Sequence, residues 1–595
     1  MVPTASPFTR RRFLGLAAGA TAAAAVAPLL SACTSGGGAA SPSASAVSAF
    51  PTSWSDEITI DVFDGLANKM GVQPGWFAKI VHDRFNMKLN IIAPNVAGGG
   101  DTLYNTRVAA GNLGDLIITD KGQKFDELTD GGLLLDSTPY FGSMTNVSRF
   151  DRATTKLNDG KDGTYGFPLQ VSGLKPTDPS EGIDPTFGPM LRWDLYAKVG
   201  YPAIGTLEDL LPVLQQMQQA QPTAANGKKV YALSLFKDWD GNMMTAGKQP
   251  ACFYGYDEMG FVLAKADGSD YQSIVDPNSA YVRSLKFFNK ANQMGMLDPD
   301  STTQNYDTVF SKIQKGQVLF SFWPWQGQAA FNTTDNMADG KGFMIAPLAD
   351  MLVFSYGAAV YGGTQILTIG SKAKDPERIA AFANWIYSSE GTYTNNSQTQ
   401  GAAGPRTLTW DLNADKKPEL NDFGMKALAG AGADVPTEWG GGTYTDGASW
   451  LNFTAVLPID TDPDTGYPFS YKMWETFQAT QENPLTKDWS SHMGNAKTTM
   501  GYLKDNNKLL VAPGAGFTTP TDDSEIQTLR NQIKASIVEY SWKASFAKDD
   551  SSFNSLIDEL GKTVDGLGYA KVLEVDMANA KSQNDARLAV VKDFG

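Results

Sequence analysis

The sequence predicts an α/β protein with a parallel sheet, divided into two lobes. Two observations carry this reading. Strand-like alternation and helix-like spacing succeed one another as β-α-β-α-β between residues 57 and 119, a pattern that lays crossover helices against parallel strands. Once a leader and tether are set aside, about 545 residues remain, more than one hydrophobic core ordinarily serves.

Residues 57–63, Glu-Ile-Thr-Ile-Asp-Val-Phe, alternate apolar and polar as a half-buried strand does. Residues 76–86, opening on Trp76, place apolar side chains at helical spacing, and residues 88–93 form a second strand. Residues 101–111 follow as a helix and residues 115–119 as a third strand. Ligands of such sheets bind beyond the carboxyl ends of the strands, which makes residues 64–75 and 115–120 candidate cleft rims.

Residues 281–296 predict a helix with Val282, Leu285 and Phe288 or Phe287 on one face, ended by Gly295 and the Asp298-Pro299 turn. Residues 317–325 read as an apolar strand finishing in Phe322-Trp323-Pro324-Trp325. Another strand is expected at 364–369, then a helix at 376–389 that Gly391 stops. Residues 400–470 are rich in Gly, Thr, Asp and Trp without a period, the sort of long irregular segment that often carries function. From Ser524 the chain reads as helical to its end.

The N-terminus reads as an export address. Arg10, Arg11 and Arg12 precede an Ala-rich apolar run, and Thr9-Arg10-Arg11-Arg12-Phe13-Leu14-Gly15 resembles a twin-arginine signal. Leu30-Ser31-Ala32-Cys33 resembles a bacterial lipobox, which makes Cys33 the lipidation site and residues 1–33 the signal. The alternative, a transmembrane anchor, is disfavoured because Ala and Gly dominate the run. Residues 34–56 then form a flexible tether.

Without its leader the chain carries 46 basic against 64 acidic residues, a net charge near −18 that repels nucleic acid and anionic lipid. Cys252 is the only cysteine beyond Cys33, so the mature chain forms no internal disulfide. His82 and His492 are far apart and neither lies in a zinc-ligand cluster. Asp460-Thr461-Asp462-Pro463-Asp464-Thr465-Gly466 offers alternating carboxylates but lacks the glycine and glutamate of a calcium loop, and reads as an Asp/Pro-rich turn. No metal or cofactor is expected.

Several patterns in order resemble the extracellular solute-binding proteins of ABC importers, in the sugar-binding branch with long lipoprotein members. Gly111-Asn112-Leu113-Gly114-Asp115 looks like the turn before the third strand, with Gly114 where proline is usual. Tyr165-Gly166-Phe167-Pro168 resembles a crossing between lobes. Leu191-Arg192-Trp193-Asp194-Leu195 and Thr206-Leu207-Glu208-Asp209-Leu210 are similar to a paired family motif, and Gly295-Met296-Leu297-Asp298-Pro299 to another. Ser389-Glu390-Gly391 resembles the end of the family's helix. The resemblance implies a type II periplasmic-binding-protein-like fold of two discontinuous lobes joined by a hinge. It puts residues 57–168 and 355–400 in one lobe, and 172–350 with 405–595 in the other. It also implies a monomer that closes on a carbohydrate and docks on permease subunits. The acidic calcium loop of long relatives is replaced here by Pro222-Thr223-Ala224-Ala225-Asn226-Gly227-Lys228-Lys229.

A pyranose presents apolar C–H faces and a rim of hydroxyls, so its site needs flat aromatic surfaces with directional polar groups. Of 13 tryptophans, Trp239, Trp323, Trp325, Trp439 and Trp450 fall where no period requires them. Sugar-binding relatives place a Trp directly after a proline at the strand matching 317–325, which singles out Trp325. Asp238 beside Trp239 suits hydroxyl acceptance next to stacking, Glu438 to Tyr444 with Trp439 among them resembles a mobile flap, and Asp64 and Asp115 stand at strand ends. A secreted glycan-active enzyme, a peptide-binding protein and an adhesin are the rival readings. The sequence carries no nucleophile elbow, Walker loop or metal motif that would mark an enzyme.

Overall fold

A computed structural model describes residues 49–594 apart from 95, 97–99, 397–400 and 429–431. The leader, Cys33 and most of the tether lie outside the described residues.

The first sheet grows from local pattern. Strand Ile58–Asp64 buries Ile60, Val62 and Phe63. Helix Gly75–Phe85 turns Trp76, Phe77, Ile80, Val81 and Phe85 inward, and Asn86, left-handed at φ 45°, ends it one residue before strand Met87–Ile92. Helix Gly100–Ala109 leads to strand Leu116–Asp120. Strand Ile58–Asp64 lies between the other two and parallel to both. Strand Gln365–Ile369 then returns from far along the chain and pairs antiparallel with Leu116–Asp120 on one side and Phe167–Pro168 on the other. With the edge strand Gly71–Val72 the order is 71–72, 87–92, 58–64, 116–120, 365–369, 167–168.

A second body is built on strand Met190–Arg192, antiparallel to both Phe320–Ser321 and Phe343–Ile345. Helix Ala280–Gln293, capped by the Ser279 hydroxyl accepting from the Val282 amide, buries Leu285 and both Phe287 and Phe288. Helices Ser524–Ser545, Asp550–Gly566 and Tyr569–Phe594 complete this body. Among the described residues no helix is long and apolar enough to cross a membrane.

Two expected elements differ. The strand expected at 317–325 is only Phe320–Ser321, because Pro324 opens a helix, Pro324–Phe331, with Trp323 as its N-cap. Proline suits a first helical turn, where its missing N–H has no partner to lose. Gly391 does not stop the helix at 376–389. That helix ends at Ile386, and Ser388 caps a new one, Ser389–Asn395, in which Gly391 is internal and its missing side chain leaves room for the Trp385 carbonyl.

Two large hydrophobic cores are separate. One joins Ile60, Val62, Trp76, Leu116, Leu367, Phe382, Trp410, Phe453 and Trp474. The other joins Leu191, Leu214, Phe288, Leu319, Phe343, Trp489, Ile533 and Leu560. The expectation that 405–595 belongs with the second lobe is therefore corrected: residues 408–477 pack into the first core, and only the chain from Leu485 returns to the second. The anchor is Trp76, fully buried, whose indole stacks on Tyr444 at 5.0 Å and donates through Nε1 to the Tyr444 carbonyl at 2.8 Å.

The chain leaves the first core after residue 171, pinned there by backbone bonds. Val171 donates to the Ala455 carbonyl at 2.9 Å and accepts from the Leu457 amide at 3.1 Å, while the Ser172 amide donates to the Ala359 carbonyl. Trp76→Ala is expected to cost about 3–5 kcal/mol of unfolding free energy in urea denaturation, the usual range for a buried indole removed from a core.

Candidate functional site

Trp325 stands in the first turn of helix Pro324–Phe331 and leaves 43% of its surface exposed; Trp239, on the loop after residue 236, is 44% exposed. Exposed indoles of this kind are held up by buried neighbours. Trp239 stacks on Tyr306 at 4.9 Å and 23°, and lies 5.8 Å from Trp325. Trp323 backs Trp325 at 5.3 Å, and Phe236 meets Trp239 edge-on at 4.9 Å. The Asp238 carboxylate accepts from the Tyr306 amide at 2.9 Å and so fixes the supporting ring. Asp240 accepts from Trp542 Nε1 at 2.7 Å, tying the same loop to the C-terminal helices.

Beside Trp325 opens a cavity of about 360 Å³ lined by Glu181, Asp184, Pro185, Thr186, Gln328 and Ala329. Its two carboxylates were missed by the sequence reading, since the loop that carries them has no period and no motif. Glu181 accepts from the hydroxyls of Ser355 at 2.5 Å and Thr186 at 3.0 Å. Asp184 is held by Thr499 and Gln328. Burial pushes both carboxyls above the usual carboxylate range, partly offset by those hydrogen bonds.

On the first lobe, a cavity of about 180 Å³ lies at the carboxyl ends of strands Ile58–Asp64 and Leu116–Asp120, lined by Leu66, Pro94, Tyr104, Thr119, Asp120 and Lys124. Strand order reverses between those two strands, the place where open α/β sheets take ligands. Lys124 stands 5.3 Å over the Tyr104 ring, and the Tyr104 hydroxyl is buried without a partner among the described residues.

The sequence-derived candidates divide. Trp325, Trp239 and Asp238 come together. Trp323 is corrected: it is 5% exposed and belongs to the core beneath Trp325. Asp64 is corrected as well, because its buried carboxylate is taken by the amides of Leu66 at 2.9 Å and Asn452 at 3.0 Å. Asp115 begins its strand and so sits at the opposite, amino end of the sheet, locked by the amides of Asp61 at 2.7 Å and Lys374 at 3.0 Å. Trp439 lies half-buried in a short turn packed on the first core beside helix Gly75–Phe85. Trp450 is also half-buried; its amide donates to Gln73 Oε1, Lys69 stands 5.5 Å over its ring, and its indole N–H is unpartnered among the described residues. Through Asn452 and Asp64 this segment borders the strand end at the first-lobe cavity.

The family model described as bacterial extracellular solute-binding protein matches residues 71–393, more than half of the chain. The chain belongs to this family. The match of this solute-binding protein takes in the first sheet apart from its strand Ile58–Asp64, a crossing between the cores and the Trp325 helix, and stops before the segment that returns to the first core. No curated protein matches. Among solved structures, it is similar to the HMO binding ABC-transporter associated solute-binding protein of Bifidobacterium longum infantis, with 13% identity, TM-score 0.57 and coverage of 89% of this chain and 99% of that one. A second extracellular solute-binding protein from Bifidobacterium longum subsp. infantis gives 13% identity, TM-score 0.54 and the same coverages, 89% and 99%. The S. pneumoniae substrate-binding protein FusA in complex with kestose gives 13% identity, TM-score 0.52, again covering 89% and 99%. At these identities the likeness establishes the fold, a periplasmic-binding-protein-like architecture.

Where the chain of this solute-binding protein leaves the first core at residues 172–173, Asp460 is 2% exposed and accepts from Ser172 Oγ at 2.5 Å and the Gly173 amide at 2.6 Å. Burial pushes its carboxyl up to about 6, with those two bonds and Arg149 opposing. Unfolded, the group titrates near 3.9, so between about pH 4 and 6 the folded state binds a proton that the unfolded state does not. Stability contributed here falls as pH rises through that window, by up to about 3 kcal/mol. Urea titrations at pH 4, 5, 6 and 7 should show a smaller loss with rising pH in Asp460→Asn than in the wild type.

Proposed function

We propose that this protein is an extracytoplasmic lipoprotein that captures a carbohydrate and delivers it to an ABC importer. The observation that carries the reading is the exposed aromatic rack of Trp239 and Trp325, braced from below by Tyr306 and Trp323, at the mouth of a carboxylate-lined cavity. Sugar C–H faces stack on such rings, and hydroxyls meet carboxylates and amides at their edge. The similar solute-binding proteins, one of them HMO binding and another in complex with kestose, agree with it.

Capture works by hinge closure. Two separate cores joined by extended crossings move as bodies, and a sugar held on the Trp325 wall gains further contacts from the first lobe as the cleft narrows. Those added contacts are what bias the equilibrium, since a ligand bound equally in both states shifts nothing. The closed form is the one the permease recognises.

A glycan-active enzyme is the second reading, favoured by the two carboxylates near Trp325. A glycosidase needs one carboxyl free as acid and one as base or nucleophile, whereas Glu181 and Asp184 each spend their oxygens on neighbouring hydroxyl and amide groups.

In isothermal titration against an oligosaccharide panel, Trp325→Ala is expected to weaken binding by about 2–4 kcal/mol, with the sugar recovered intact from the wild-type cell. Unchanged affinity would remove Trp325 from the site. For the anchor, Cys33→Ser should shift the protein from the membrane fraction to the medium in cells.

A further inference from the structure

The loop that lifts Trp239 to the surface is held mainly by side chains. Between residue 236 and helix Thr245–Cys252 the backbone bonds to itself from the Asp240 amide to the Lys237 carbonyl at 2.9 Å and from the Gly241 amide to the Met243 carbonyl at 3.1 Å, and no other such bond is present among the described residues. An indole 44% exposed on such a loop gains little from burial, so its position has to be set from outside. Asp238 ties the loop to the Tyr306 amide at 2.9 Å, and Thr245 Oγ1 donates to the Trp239 carbonyl. The other anchors lead to one element, helix Ser524–Ser545, whose Trp542 stands 302 positions along the chain from Asp240.

Trp542 is 5% exposed and meets the loop on both sides of Trp239. Its Nε1 donates to Asp240 Oδ2 at 2.7 Å, and Lys237 Nζ stands 5.1 Å over its ring. Asp240 Oδ1 accepts from the Thr245 amide at 2.9 Å, so one carboxylate fastens the loop both to the helix that follows it and to Trp542. Burial pushes that carboxyl up, and the bond from Trp542 is the foremost effect drawing it back. The residue before Trp542 makes a second link. The Met244 amide donates to the Tyr281 hydroxyl at 3.0 Å, and this buried hydroxyl lies 2.8 Å from Ser541 Oγ. Neighbouring residues of one helix thus hold the stretch after Trp239 at both of its ends.

We infer that Trp542 is a positioning residue for ligand binding, which acts without touching the sugar by fixing the loop so that the Trp239 face stands beside Trp325. An indole free to swing would lose that freedom on binding, at a cost in affinity; a loop bedded on the C-terminal helices has lost it beforehand. The inference rests on the carbohydrate reading above and deepens it, extending the determinants of the site to a buried residue far from the cavity in sequence. Trp542→Phe isolates the effect, because it keeps a ring to pack against Phe546, stacked at 6.4 Å, and removes the N–H that Asp240 accepts.

The first experiment needs no ligand. In protein labelled with 5-fluorotryptophan, the fluorine resonance missing from Trp239→Phe is that of Trp239, and in Trp542→Phe it should shift and sharpen as the indole gains motion. A resonance that stays unmoved overturns the inference, whatever the protein binds. The second experiment is calorimetry with the tightest binder among fructo-, cello-, xylo- and manno-oligosaccharides, with thermal melts to confirm that each variant is folded. Trp542→Phe is expected to weaken binding about tenfold in the wild-type background, through lost preorganisation. In a Trp239→Ala background the same change should alter affinity by less than about twofold, since the ring it positions is gone. Equal losses in both backgrounds, or no loss in the first, overturn the inference and leave the carbohydrate reading standing. If wild-type protein binds none of the four series, the carbohydrate reading falls for these sugars and the binding role of Trp542 falls with it.

Discussion

The separation of two apolar cores by hydrogen-bonded, extended crossings is the constraint on which the rest of this molecule depends. Val171 and Ala455 are buried members of the first core, so the crossing starts from packed chain and not from an exposed strand. Backbone groups there are satisfied by one another: residue 171 with 455 and 457, residue 172 with 359.

The second-lobe wall shows how exposed tryptophans are kept in place. Trp239 and Trp325 each present about half of an indole to solvent, an arrangement that hydrophobicity alone would collapse. Rings behind them prevent this. Tyr306 lies flat under Trp239, Trp323 backs Trp325, and Asp238 fixes Tyr306 through its amide. Pro324 contributes by opening a helix, so Trp323 and Trp325 leave the backbone in different directions, one into the core and one out of it. Neighbouring carboxyls are restrained in the same spirit. Glu181 and Asp184 are desolvated, yet each is hydrogen-bonded in place, which orients their oxygens at the cavity surface.

The segment from 403 to 477 adds mass to the first lobe without extending its sheet. It is attached by Trp76 to Tyr444, by Asp64 to Asn452, and by Asp460 to the crossing at 172–173. All three are buried polar links between residues more than 280 positions apart. They commit the segment to one face of the first core and carry Tyr471 and Phe477 to the interlobe surface.

Much was legible in the sequence. Alternation and helical spacing located the three parallel strands of the first sheet and the helices between them to within two residues, since a strand or helix with one buried face must repeat its apolar side chains at period 2 or 3.6, whereas the two-residue edge strand Gly71–Val72 is too short to show a period. The aromatic surplus at 239 and 325, set where no period asked for it, pointed to the exposed rack. Asp64 and Asp115 misled because an acidic residue at a strand end looks the same whether it faces a ligand or a distant amide; Asn452 and Lys374 are what settle it. Likewise Trp323 and Trp325 differ in burial through a turn of backbone, and 408–477 joined the first core through partners far away in the chain. Local sequence encodes which face of an element is apolar, a short-range property. Which remote group answers a given carboxylate or ring is a matter of packing between elements, and no local period records it.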